Sequence, residues 1–94
     1  MATASARHIL VANEVMCNDL KEKINNGETT FEDAAKEYSE CPSGQDGGEL
    51  GSFPKGAMVP EFDKVVFNDE IGVVHGPVKT QFGWHLLEVT KRDD

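Results

Sequence analysis

No run of apolar residues in this chain is long enough for a membrane-spanning helix. The start, "MATASARHIL", has no charged segment followed by an apolar one, so no signal peptide is expected. Basic residues are scarce: 9 Lys and Arg stand against 17 Asp and Glu, for a net charge of −8. No basic cluster appears, so neither nucleic acid nor a membrane surface is an expected partner. The only cysteines are Cys17 and Cys41, and neither CxxC nor HExxH spacing exists. That removes the usual sequence support for a metal site. Cys17 lies within a helical pattern, so free thiols in a reducing cytoplasm are expected. The chain also lacks repeats, linkers and low-complexity tracts. At 94 residues, it suits one domain spanning 1–94, with a modest core over about 6–91.

What is present is a mixed pattern of helices and strands. Residues 6–11 read as an apolar strand. Asn13 is placed to cap a helix with Met16, Leu20 and Ile24 spaced four apart. "NNG" at Asn25–Gly27 reads as its stop. Thr30 and Asp33 form a capping-box pattern, and Phe31, Ala34, Ala35 and Tyr38 make the stripe of a second helix. "CPSGQDGG" (Cys41–Gly48) reads as a loop, "ELGSF" as a short strand, and "KGAMVPEFDKVVF" as a short helix with Pro60 in its first turn. "NDEIGVVHGP" reads as another loop, in which His75 is solvated. "VKTQFGWHLLEV" reads as two strands joined by a turn or bulge near Gln81–Gly83. The order β-α-α-β-α-β-β predicts an α+β fold, with helices around a small antiparallel sheet.

Two strands near opposite ends each put a histidine on an apolar face. His8 shares a face with Ala6 and Leu10, and His85 with Leu87 and Val89. Trp84 projects to the opposite side, under a helix. Taken singly, each histidine is most simply a satisfied core residue. If the strands are neighbours, however, the rings can share a hydrogen bond and orient groups such as Thr80 or Cys41. A purely structural polar pair is the competing reading. Cys41 also raises a thiolate nucleophile, although no third orienting group stands out. Met58, Phe62 and Phe82 sit at element edges, where apolar side chains can wall a small-ligand cleft.

"RHILV", "CPSGQDGGELGSF", "MVPEFDKVVF" and "GPVKTQFGWHLLEV" together resemble the parvulin family of peptidyl-prolyl cis/trans isomerases, in the family's order and over about Arg7–Lys91. The resemblance implies a four-stranded antiparallel sheet flanked by helices. It implies that His8 and His85 are the paired histidines, with Cys41 and Thr80 in the same catalytic network. It also implies that Leu50, Met58, Phe62 and Phe82 grip the substrate proline. The implied activity is non-covalent rotation about X–Pro bonds of peptides and unfolded proteins by a monomer, with no cofactor or metal. The loop after the first strand, "VANEVMC", contains no basic residue, so phosphorylation-independent action is expected. Two alternatives remain: a module holding peptides in the same cleft without turnover, and a thiol hydrolase using Cys41.

Overall fold

The computed structural model describes residues 3–93. Strand β1 (Thr3–Val11) leads into helices α1 (Glu14–Asn25) and α2 (Phe31–Tyr38). A short 3-10 turn (Pro42–Asp46), β2 (Glu49–Pro54) and α3 (Pro60–Asn68) follow, and β3 (Val74–Thr80) and β4 (Gly83–Asp93) end the fold. The four strands form one sheet in the order β2-β1-β4-β3, with every neighbouring pair antiparallel. The expected α+β architecture is therefore present.

The helix boundaries follow local chemistry. The Asn13 side chain accepts the Met16 N–H at 2.8 Å, satisfying a first-turn donor of α1. Gly27 adopts φ 79° just past the end of α1, as its place in "NNG" predicts. Thr30 Oγ1 accepts the Asp33 N–H at 3.1 Å and caps α2. Pro60 occupies the first turn of α3, where the missing N–H breaks no helical bond.

Both faces of the sheet are covered. Alternation in β1 and β4 sends Ile9, Val11, Trp84 and Leu86 to one face, where they meet Cys17, Leu20, Phe31, Ala34 and Ala35 of α1 and α2. This places Trp84 under helices, as expected. Ala4, Ala6 and Val89 point to the other face and meet Phe53 and Val66 beneath α3. Arg7 and Glu88 face each other across β1 and β4 and form an ion pair, while the Arg7 guanidinium lies 5.0 Å from the centroid of Phe31.

Three sequence expectations need correction. β1 begins at Thr3, because Thr3–Ser5 pair with β2 and β4 where a period-two apolar pattern is weak. The loop read as Cys41–Gly48 contains the 3-10 turn, started by Pro42 and ended by Gly47 at φ 74°. His75 lies in β3, not in a loop, and its Nε2 lies 2.7 Å from the Glu70 carbonyl oxygen, so the ring is half-buried and bonded. A bulge between His75 and Val78, around Gly76 and the cis Gly76–Pro77 bond, hid that strand from its sequence.

Candidate active site

His8 and His85 lie on the α3 face of the two central strands. The register pairs His8 with Leu87 and Leu10 with His85, which makes the two histidines diagonal neighbours. Their Nδ1 atoms are 3.1 Å apart, and both rings are almost fully buried. The site therefore depends on strand pairing between positions far apart in sequence.

The hydrogen bonds around the pair fix its direction. The Phe82 N–H donates to Thr80 Oγ1 at 3.1 Å, and Thr80 Oγ1 lies 2.7 Å from His85 Nε2. With the backbone donor already on the oxygen, the Thr80 hydroxyl proton is directed to His85 Nε2. His85 then carries its proton on Nδ1 and donates it to His8 Nδ1. His8 in turn carries its proton on Nε2, which lies 3.0 Å from Ser43 Oγ. The Ser43 hydroxyl donates onward to Cys41 Sγ at 3.3 Å. In the reverse direction the Thr80 hydroxyl proton has no acceptor among the described residues. Among those residues, every buried side-chain polar atom has a partner.

This chain requires neutral rings. Burial lowers the His8 pKa, and burial followed by the charge of His8 lowers that of His85 to about 4. A second proton on His8 would also set two donors against each other at the Nδ1 contact, and one on His85 would set Nε2–H against the donating Thr80 hydroxyl. The Phe62 ring lies edge-on to both imidazoles, with centroids 4.5 Å from His85 and 5.5 Å from His8. It seals the pair from α3.

Above the histidines lies a cavity of about 340 Å³ lined by His8, Leu10, Glu40, Cys41, Pro42, Met58, Val59, Phe62, Phe82 and His85. Its histidine floor and mostly apolar walls suit a small apolar group attached to a polar one. Phe62 is buried and forms the base, whereas Phe82 is 64% exposed and forms the rim. Phe82 is set by the turn into β4. Gly83 takes φ 141° there, and a Cβ would come within 2.8 Å of the Val11 carbonyl oxygen. Gly48 takes φ 84° against β1, where a Cβ would strike the His8 carbonyl oxygen. That close approach allows the His8 N–H to bond the Gly48 carbonyl at 2.9 Å, docking the 41–48 segment beside the histidines.

The structure brings together seven of the eight expected site residues. Met58, Phe62 and Phe82 wall the cavity, His8, His85 and Cys41 border it, and Thr80 lies behind His85. Leu50 does not line it. It sits where the β1–β2 register slips and packs on the Ala4–Phe53–Val89 cluster. Cys41 also differs from expectation: it meets His8 only through Ser43. Ser43, Glu40, Leu10 and Val59 were not foreseen. Ser43 stands within the quoted "CPSG", but only the docking of that segment reveals its partner. Among the described residues, no group of three or more His, Cys, Asp or Glu side chains lies together to hold a metal.

Comparison with known proteins agrees with this geometry. Residues 8–91 match the family model described as a rotamase, the PPIC-type PPIase domain. The chain is 45% identical over 84 residues to the foldase protein PrsA of Caldanaerobacter subterraneus, covering 88% of this chain and 27% of that protein. The crystal structure of a peptidylprolyl isomerase (PrsA) from Bacillus anthracis superposes with TM-score 0.93 at 36% identity, covering 99% of this chain and 43% of that one. The solution structure of the parvulin NmPin from Nitrosopumilus maritimus covers 95% of this chain and 96% of that one, with TM-score 0.82 and 33% identity. The chain thus spans only 27–32% of the length of the curated PrsA relatives considered, but nearly the whole of a free-standing parvulin. The histidine pair under an apolar pocket and the family match over residues 8–91 lead to one assignment: the chain belongs to the PPIC-type peptidyl-prolyl cis/trans isomerase family, the parvulins.

Proposed function

We propose that this domain isomerises X–Pro bonds of unfolded or exposed peptides without forming a covalent bond and without requiring a phosphate. The observation that carries the reading is the apolar pocket lying directly on a neutral, fully paired histidine floor. The barrier to peptide rotation, about 18–20 kcal/mol, comes from amide resonance. A pocket that grips the proline ring between Met58, Phe62 and Phe82 holds one side of the bond while the preceding carbonyl turns. The twisted amide has lost resonance and carries less charge on its oxygen, so it tolerates an apolar wall better than the planar form. Cys41, whose S–H is not used in the hydrogen-bond chain, borders the same space and supplies a polar contact to the altered amide, while the paired histidines hold the chain that ends on its sulfur.

No bond is made or broken in this step, so it requires neither metal nor cofactor. A thiol hydrolase is less well supported, because the nearest imidazole reaches the Ser43 hydroxyl and not the Cys41 sulfur. Only Ala12 and Asn13 separate β1 from α1, so there is no extended basic loop there to read a phosphate. Cys17, in the α1–α2 core, and Cys41, at the cavity on the other side of the sheet, are both free thiols.

Exchange spectroscopy on a Leu–Pro peptide tests the enzymatic reading. Accelerated cis/trans exchange at catalytic amounts of protein is expected. Binding without acceleration would instead favour a peptide-holding module.

A further inference from the structure

We infer that Glu40 selects substrates carrying a cationic residue, Lys or Arg, next to the proline. The inference rests on the isomerase reading of the same pocket. Among the cavity's lining residues, Glu40 is the only one that carries a formal charge at neutral pH. The others are apolar residues, the Cys41 thiol and the two histidines, which burial keeps neutral.

The backbone of Glu40 is fixed. Its N–H donates to the Leu10 carbonyl at 2.8 Å, tying it to the end of β1 beside another lining residue. On either side, Ser39 Oγ accepts the Leu10 N–H at 3.1 Å and the Cys41 N–H at 3.4 Å. The charge is therefore carried on a positioned segment rather than a swinging loop. Its side chain is exposed and has no ion pair or hydrogen bond among the described residues.

No cation lines the cavity to offset this charge. Arg7 is held by Glu88, and Lys36 by Glu32 one turn along α2. A peptide seated by its proline ring therefore presents its flanking side chains near a single uncompensated carboxylate. A Lys or Arg there gains attraction, and a Glu or phosphorylated Ser meets repulsion. Because the carboxylate is exposed, the effect should weaken with salt over the ~10 Å screening length at 0.1 M.

The test uses two peptide series with Lys, Leu or Glu immediately before or immediately after the proline. Catalytic efficiency is measured by exchange spectroscopy at low and high salt. The readout is the Lys-to-Glu efficiency ratio within each protein, so a general loss of activity cancels. In at least one series, the wild type is expected to favour Lys by about tenfold at low salt. Glu40→Gln should bring that ratio to about twofold or less, and Glu40→Lys should invert it. Glu22→Gln, on the exposed face of α1, makes the same change in net charge and should leave the ratio intact. A ratio that survives Glu40→Gln, or falls equally in Glu22→Gln, would overturn the assignment in favour of the overall negative field. Turnover of all peptides with no discrimination in the wild type would also overturn it. If no peptide is turned over, the isomerase reading itself fails, and the inference falls with it.

Discussion

His85 shows how a single residue ties stability to function. Burial holds its folded pKa near 4, well below the 6.5 of a free imidazole. Between those values the unfolded chain binds a proton that the folded chain does not, so stability rises with pH across that window. The contribution is fully present above about pH 6.5 and is lost as pH falls towards 4. His8 shifts in the same direction. Urea unfolding at pH 7 and pH 5 should show a loss of about 1–3 kcal/mol at the lower pH. His85→Asn should flatten that dependence. An unchanged midpoint in the wild type would show that the folded rings take up protons over this range as readily as the unfolded ones, and so that burial does not lower their pKa. The two phenylalanines separate packing from activity. Phe82→Ala, at a 64% exposed position, should cut catalytic efficiency about tenfold while leaving stability within about 0.5 kcal/mol. Phe62→Ala, at a buried position, should lower both, with a stability loss of about 3–5 kcal/mol. If Phe82→Ala retains full activity, the rim does not grip the proline. Cys41 accepts a hydrogen bond from Ser43 and has no base against its sulfur. Cys41→Asp keeps an acceptor there and should retain substantial activity in the same exchange assay. Trapping a covalent adduct on Cys41 would contradict the non-covalent step.

At the scale of elements, the site depends on three placements: the central strand pair, the docked 41–48 segment and the first turn of α3. The apolar faces carrying His8 and His85 were legible from period-two alternation, whereas the pairing of their strands was implied only by the family resemblance. The helices were legible from their caps and stripes. Leu50, given a pocket role only through the family resemblance, stands instead at a slip in the β1–β2 register and packs on the Ala4–Phe53–Val89 cluster, and a register slip leaves no mark in a single sequence. β3 was partly hidden because Gly76 and Pro77 read as the end of a loop, although they form a bulge within a strand. Ser43 was hidden for a different reason. Its partner is set by the contact of Gly48 with β1, which is a tertiary fact. The short connection from β1 to α1 gives a prediction at this scale. A phosphoserine–proline peptide should be turned over more slowly than its unmodified twin at low salt. Faster turnover of the phosphopeptide would mean that a basic surface elsewhere reads the phosphate.

Across the whole molecule, a sheet covered on both faces carries two different cores. The α1–α2 face carries an apolar cluster of Ile9, Val11, Leu20, Phe31 and Leu86, with the Arg7–Glu88 ion pair beside Phe31. The α3 face starts apolar at Ala4 and Val89, then changes to the histidine floor and the open pocket. One side supplies stability, and the other carries a buried polar chain with a cavity above it. The central claim is that this cavity, and no other surface, accelerates rotation about an X–Pro bond. The most direct test is a single NMR titration of a Leu–Pro peptide into the protein, reading peptide exchange and protein amide shifts together. The account predicts accelerated cis/trans exchange, with the shifted amides centred on Leu10, Cys41, Met58, Phe62, Phe82 and His85. Acceleration with shifts confined to the β2 edge or the α1–α2 face, or shifts at the pocket without acceleration, would contradict it.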